Sequence, residues 1–279
     1  MEFKMKDRKM SPTAITPEGT KFLKRRVLLL SVGACSLRLL LVVIHEIMLV
    51  NLGASSLAVS LVGYFTEAFT ACALFSLVAV AVYAKLIGQD GVFAYAIVMQ
   101  GLSMLLISSL LNMFVIWFMT VINDSDLMSG AAFEISNYTT AMLTGEQVIY
   151  LLSMSFISIA VIMVMLLIFI PVMRAAKKKA LAANIELSID ALAEKKWSDS
   201  PARLPSVLFI AIFVGVSLIS RIIDTVSTLT SGDPPRTAGD YIVLGTPYFT
   251  LVIFAAAGAL AMQFAYERIA KRMKSVCGK

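Results

Sequence analysis

Two charged residues lie inside an apolar run late in the chain, in the sequence FVGVSLISRIIDTVSTL at 213–229. Arg221 and Asp224 are three residues apart, so their side chains can approach each other on the surface of a helix. A charge at the centre of a lone membrane-spanning helix costs about 2.5–3.5 kcal/mol on insertion scales. We therefore expect both groups to face the interior of a helix bundle or a wet cavity.

Arg38, Glu67 and the one histidine of the chain also fall in the first two apolar runs, with Glu46 beside the histidine. Arg38 lies about 16 Å into the first run and Glu67 about 15 Å into the second, since a helix rises about 1.5 Å per residue. The short sequence NLGASS joins these runs, so they are expected to be antiparallel neighbours. His45 follows Arg38 by seven residues, which places both side chains on one helix face.

These charged residues and nearby hydroxyl groups form a candidate binding or proton-relay cluster. We predict that the arginines bind an anionic or small polar solute, that the carboxylates pair with them in its absence, and that two tyrosine hydroxyls orient it. The alternative needs no ligand, because buried ion pairs that fix helix packing use the same residue types. The predicted site residues are Arg38, His45, Tyr64, Glu67, Arg221, Asp224 and Tyr248.

The residue inventory argues against most catalytic and metal chemistry. His45 begins the sequence HEIML, but the zinc-protease motif needs a second histidine at position 49, where this chain has leucine. The sequence contains no P-loop and no GxGxxG motif after a strand, and its three cysteines show no CxxC spacing. We therefore expect no enzyme activity, no cofactor and no metal site.

The composition is typical of a membrane protein. Hydrophobic residues make up 59% of the chain and charged residues 15%, and the mean hydropathy is +0.85, whereas soluble domains have about 45–50% and about 25%. The net charge of +6 comes from lysines and arginines clustered near the ends of the apolar runs. This distribution predicts contact with lipid headgroups and argues against nucleic-acid binding.

Six apolar stretches are long enough to cross a bilayer, which takes about 20 residues. Each must be helical, because lipid offers no partner to an unpaired backbone amide. The sequence therefore predicts an all-α integral membrane protein with six transmembrane helices. The predicted spans are residues 27–50, 57–86, 92–122, 146–173, 205–229 and 241–267.

The basic residues also predict an orientation. All but three of the 24 lysines and arginines lie in the tail 1–26, at Lys85, in the linker 174–203 or in the tail 268–279. These segments would share one side of the membrane, which the positive-inside rule makes cytoplasmic. We predict a multi-pass protein of a bacterial-type cell membrane with both termini in the cytoplasm.

The linker 174–203 contains Leu181, Ile185, Ile189 and Leu192 at helical spacing. This pattern predicts an amphipathic helix on the inner membrane surface, either as a spacer or as a docking site for a cytoplasmic protein. On the other side, the polar loop 123–146 is long enough to cover an outer vestibule.

Short sequences recur along the chain. The sequence YFT stands at 64–66 and again at 248–250, and 47 residues separate both Arg38 from Lys85 and Arg221 from Arg268. This recurrence predicts three tandem helical hairpins, at 27–88, 92–173 and 205–267.

Two functions follow from these features. The first is a permease or channel for a small solute or ion, with the buried charged cluster as its site. The second is an accessory, scaffold or sensor subunit with no transport of its own, whose linker 174–203 binds a cytoplasmic protein.

Overall fold

The computed structural model describes residues 16–52, 57–103, 168–183, 185–230 and 238–277, together with residues 106 and 160. These residues are predominantly helical and include no strand, which confirms the all-helical prediction for the described part of the chain. The helices are α1 (Pro17–Leu52), α2 (Leu57–Leu86), the helical segments 90–103 and 168–182, α3 (Ile189–Glu194), α4 (Arg203–Thr230) and α5 (Ala238–Cys277), with a 3-10 turn at Trp197–Asp199.

Four of these helices are long and apolar enough to cross a membrane: Pro17–His45, Leu61–Leu86, Arg203–Thr230 and Gly245–Cys277. They correspond to the first, second, fifth and sixth predicted spans. The predicted spans 92–122 and 146–173 and the loop 123–146 fall largely or wholly outside the described residues. The six-span count and the middle hairpin of the repeat therefore stay predictions.

The best-packed part of the bundle is its basic end, by which we mean the end that carries residues 21–26, Lys85 and residues 268–274. Here Thr20 donates a hydrogen bond to Gln89, over 3.2 Å, and this contact ties α1 to the turn after α2. Tyr83 and Tyr266 are fully buried, and their rings meet edge to face with centroids 5.7 Å apart. Aromatic pairs of this kind add about 0.5–1.5 kcal/mol to the burial of their surface.

Helices α2 and α5 approach each other closely where Phe75 of α2 meets Gly258 of α5. A Cβ atom at Gly258 would lie 2.9 Å from the Phe75 ring, so only glycine fits this contact. The Phe75 ring also packs edge to face against Phe209 and Phe213 of α4, with centroids 5.3 and 5.1 Å apart. A single aromatic side chain thus joins three of the spanning helices.

A tight turn ends α2 and leads to the segment 90–103. Gly88 has φ of 84°, the left-handed conformation that glycine adopts without steric cost. The Gln89 amide donates to the Ala84 carbonyl over 2.8 Å and the Gly88 amide to the Lys85 carbonyl over 3.2 Å, as in a Schellman cap. Lys85 forms an ion pair with Asp90 across this turn.

The linker differs from the continuous amphipathic helix that its spacing predicts. The first helical segment reaches residue 182, where the Ile185 amide donates to the Ala180 carbonyl over 2.8 Å and closes the helix end. A second, short helix, α3, then begins because Ser188 caps it by accepting a hydrogen bond from the Ala191 amide. The apolar residues of the two helical segments differ in burial. Leu181 of the first segment is 53% exposed, whereas Leu192 of α3 is fully buried.

Helix α3 packs against α5 of the same chain. Ile189 and Leu192 enter the core, and Lys274 of α5 lies 2.9 Å from Glu194 and 3.8 Å from Asp190. The hydrogen bond from Lys274 lowers the pKa of the exposed Glu194 carboxyl. The linker is therefore a folded part of the bundle over this stretch.

Away from the basic end, the spanning helices expose apolar side chains. In α4 the buried residues are Pro205, Ser206 and Phe209, all in its first two turns, while residues such as Ile219 and Ile223 are more than 60% exposed. A large apolar surface of this kind suits a helix that contacts lipid.

Candidate functional site

A cavity of about 490 Å³ lies between α1, α2, α4 and α5. Each helix contributes residues at helical spacing, for example 38, 42 and 45 on α1 and 213, 217 and 221 on α4, so one face of every helix is turned toward the same space. We call this space the central cavity. Its polar lining consists of Arg38, His45, Thr66, Glu67, Thr70, Ser217, Arg221 and Thr250.

Four of the predicted site residues line the central cavity: Arg38, His45, Glu67 and Arg221. Arg38 and Arg221 are half-buried, and Glu67 is more exposed. The ion pairs among described residues lie at the basic end, and none joins Arg38 to Glu67. The charged groups therefore share a cavity without forming a closed pair.

The other three predicted residues lie elsewhere. Asp224 is exposed and does not line the cavity, and within the described chain no ion pair joins it to Arg221. Tyr64 is 40% exposed and also lies outside the lining. The spacing of Arg221 and Asp224 permits contact, but α4 turns only the arginine toward the cavity.

Tyr248 supports the cavity wall instead of facing the space. Its hydroxyl donates to the Arg221 carbonyl over 3.0 Å and lies 2.6 Å from the Thr225 hydroxyl, which donates to the phenol oxygen. These bonds join α5 to α4 at the turn that carries the Arg221 side chain. Tyr248 therefore ties the α4 backbone at Arg221 to α5.

Hydroxyl residues that sequence reasoning did not assign to the site complete the lining. Thr66 and Thr70 each donate to the backbone carbonyl four residues earlier, over 2.8 Å, and Thr250 donates to the Pro247 carbonyl over 3.0 Å. With its proton engaged, each hydroxyl keeps only acceptor lone pairs for other partners. Thr66 and Thr70 lie four residues apart on the same helix as Glu67, and this spacing is the signal that identifies them, whereas Thr250 lies on α5 and only the packing of the helices reveals it.

Gly63 brings His45 close to α2. A Cβ atom at Gly63 would lie 3.4 Å from Nε2 of His45, so the imidazole packs directly over the glycine. This distance is an ordinary van der Waals contact, so an alanine would fit here and only a bulkier side chain would crowd the imidazole. Gly63 is thus a further residue of the site, and only the packing of α1 on α2 reveals it.

The charge of the lining favours an anion. Two guanidinium groups and one carboxylate face the cavity among the described residues, so these three groups give the lining net positive charge. Arginine donates several hydrogen bonds in a planar arrangement that matches a carboxylate or a phosphate. A small solute with such a group is the complement that this arrangement fits.

Comparison with known proteins gives no family for the chain. No protein-family model matches the sequence, and neither a curated protein nor a solved structure matches it. The four apolar helices support a membrane protein by their length and composition.

Proposed function

We propose that the protein is a permease or channel for a small anionic or polar solute, and that the central cavity is its binding site. The observation that carries the proposal is the position of Arg38, Glu67 and Arg221, which share one cavity within the spanning helices. Charged residues at such depth mark solute and ion pathways in membrane proteins. Transporters also bind their substrates near the bilayer midplane.

The size and chemistry of the cavity support a small solute. Its volume of about 490 Å³ falls in the usual range for ligand sites, about 300–1,000 Å³. Arg38 and Arg221 would bind the anionic group of the solute, and Glu67 would balance their charge when the solute leaves. His45 would relay a proton or orient the solute. The proposal includes both termini on the cytoplasmic side of a cell membrane and no catalytic step.

Flux through liposomes tests the site. We expect Arg221→Leu and Glu67→Gln to lower the uptake of small anions at least tenfold, because the first removes a charge that binds the anion and the second removes the carboxylate that balances the arginines when the anion leaves. The matched control is Asp224→Asn, which removes a charge three residues from Arg221 but outside the cavity. Its flux should stay within twofold of the unchanged protein.

Two readings of this experiment are decisive. If Arg221→Leu and Glu67→Gln proteins fold normally and keep full flux, the cavity is not the transport site. If Asp224→Asn lowers flux as strongly as they do, the effect comes from overall charge and not from the lining.

A groove at the basic end favours the second candidate, an accessory or sensor subunit. The groove has a volume of about 470 Å³ and lies between the segment 168–183 and α4. Lys179 and Arg203 contribute two positive charges to it and Asp199 one negative charge, and Leu204 and Val207 are about half exposed. A cytoplasmic protein with an acidic, apolar segment would fit this surface. Affinity purification with Leu204→Glu and Val207→Glu tests it, since a stoichiometric partner should be lost.

A further inference from the structure

A second cavity, of about 360 Å³, lies at the basic end between α1 and α5, with Ser76 of α2 at its side. We call it the basic crevice. We propose that the basic crevice binds the phosphate of an anionic phospholipid, with an acyl chain along its apolar wall. This site is separate from the central cavity and does not depend on the transport proposal.

The charge of the basic crevice comes from three arginines, Arg26 of α1 and Arg268 and Arg272 of α5. Within the described part of the chain, no carboxylate lines the crevice and none of the three guanidinium groups enters an ion pair. The adjacent Glu267 accepts a hydrogen bond from Gln263, over 3.2 Å, and lies outside the lining. The crevice thus presents uncompensated positive charge, which calls for an anion.

Aromatic contacts hold two of the arginines. The Arg26 guanidinium lies 5.1 Å from the centre of the Phe22 ring, and that of Arg268 lies 5.7 Å from the centre of the Phe264 ring. Cation–π contacts restrict the side chains without using their hydrogen-bond donors. The donors therefore remain available for phosphate oxygens, which arginine binds in a bidentate manner.

The position of the crevice selects a lipid over a free phosphate. Arg26 is the last basic residue before the apolar run of α1, and Arg268 is the first after the apolar run of α5. Leu29 and Phe264 form the adjoining wall and are 53% and 64% exposed. A phospholipid matches both the arginines and the apolar wall of the crevice. Its phosphate would meet the arginines at headgroup level, and its acyl chain would cover the wall. Inorganic phosphate would leave that wall uncovered.

The test compares lipid binding by the purified full-length protein in neutral detergent. Native mass spectrometry gives the affinities for phosphatidylglycerol and phosphatidylcholine. We expect at least tenfold weaker phosphatidylglycerol binding when Arg26, Arg268 and Arg272 are all changed to glutamine. The control changes Lys21, Arg25 and Lys271 to glutamine. These exposed residues lie on the same helices outside the crevice, and the same charge is lost. The control should stay within twofold.

Each outcome decides the proposal. Equal weakening in both triple variants would show general attraction to the basic end and overturn the site. A second measurement uses the unchanged protein, so it stands even where the arginine variant does not fold. The unchanged protein should bind phosphatidylglycerol at least tenfold more tightly than phosphatidylcholine. It should also retain the bound phosphatidylglycerol in millimolar inorganic phosphate. Equal affinity for the two lipids, or displacement by phosphate, would overturn a lipid site.

Discussion

An arginine within a spanning helix is tolerated where it reaches a partner or water. Arg38 and Arg221 face the central cavity, and within the described chain neither is joined to a carboxylate by an ion pair. Buried pairs that stabilise helix packing are in contact, and breaking one costs about 3–5 kcal/mol. Separated charges around a cavity therefore favour a ligand site over a structural ion pair.

Two buried tyrosines differ in one hydrogen bond and provide a test of single side chains. The Tyr266 hydroxyl accepts a bond of 2.7 Å from Ser200, whereas the Tyr83 hydroxyl is buried and has no partner among the described residues. We expect Tyr266→Phe to lower the free energy of unfolding by about 1 kcal/mol and Tyr83→Phe to leave it unchanged or raise it. Thermal unfolding in detergent measures both.

The two substitutions remove the same atom from neighbouring rings, so each is the control for the other. An equal loss of stability in both variants would contradict the hydrogen-bond assignment.

At the scale of helices, the approach of α2 to α5 depends on Gly258. The other described glycine of the spanning part of α5, Gly245, has no atom within 4 Å of an added Cβ, so the two positions differ only in their neighbours. Small residues at a helix contact allow the backbones to come close, and this closeness strengthens association within a membrane.

We therefore expect Gly258→Ala to destabilise the bundle by about 1–3 kcal/mol, because the new methyl group overlaps the Phe75 ring. Gly245→Ala should instead be neutral or stabilising by up to about 1 kcal/mol, since alanine favours a helix. Unfolding in denaturant compares the two variants. A Gly258→Ala protein as stable as the Gly245→Ala protein would show that α2 and α5 are not in close contact here.

At the scale of the whole molecule, the chain segments richest in lysine and arginine meet at the basic end. The Thr16 hydroxyl and the Cys277 sulfur, 3.6 Å apart, bring the start of α1 to the end of α5. The positive-inside rule predicts an orientation only when lysines and arginines are concentrated at one end of the bundle, as they are here. If they were spread over both ends, the rule would predict no orientation.

Cysteine labelling tests this arrangement in a membrane. With the three native cysteines replaced, we expect cysteines at Lys21 and Lys271 to react with an impermeant maleimide only after the cells are opened. A cysteine at Thr230, at the far end of α4, should react in intact cells. If the cysteines at positions 271 and 230 reacted from the same side of the membrane, the predicted orientation would be wrong.

Hydropathy predicts six spans, and the structure has a long apolar helix at four of them. These helices could be predicted because hydropathy depends only on residues that are neighbours in the chain. The cost of a buried charge likewise predicts that Arg38, Glu67 and Arg221 face inward, and they line one cavity. The position of Asp224, the contact of Tyr248 with the α4 backbone and the packing of His45 on Gly63 depend on how helices rotate against each other. No local pattern contains that information. The start of α3 has a local cause, because the Ser188 side chain caps the helix.

Helix α4 has its buried residues, Pro205, Ser206 and Phe209, in its first two turns, and two hydrogen bonds of Tyr248 tie it to α5 further along, at Arg221 and Thr225. Its 28 residues make a lever of about 42 Å, at about 1.5 Å per residue. A tilt of about 5° around the buried end would move the far tip by about 4 Å and would stretch the hydrogen bonds of Tyr248 to Thr225 and to the Arg221 carbonyl. The hydrogen bonds of Tyr248 therefore resist a tilt of α4 away from α5, next to the Arg221 side chain.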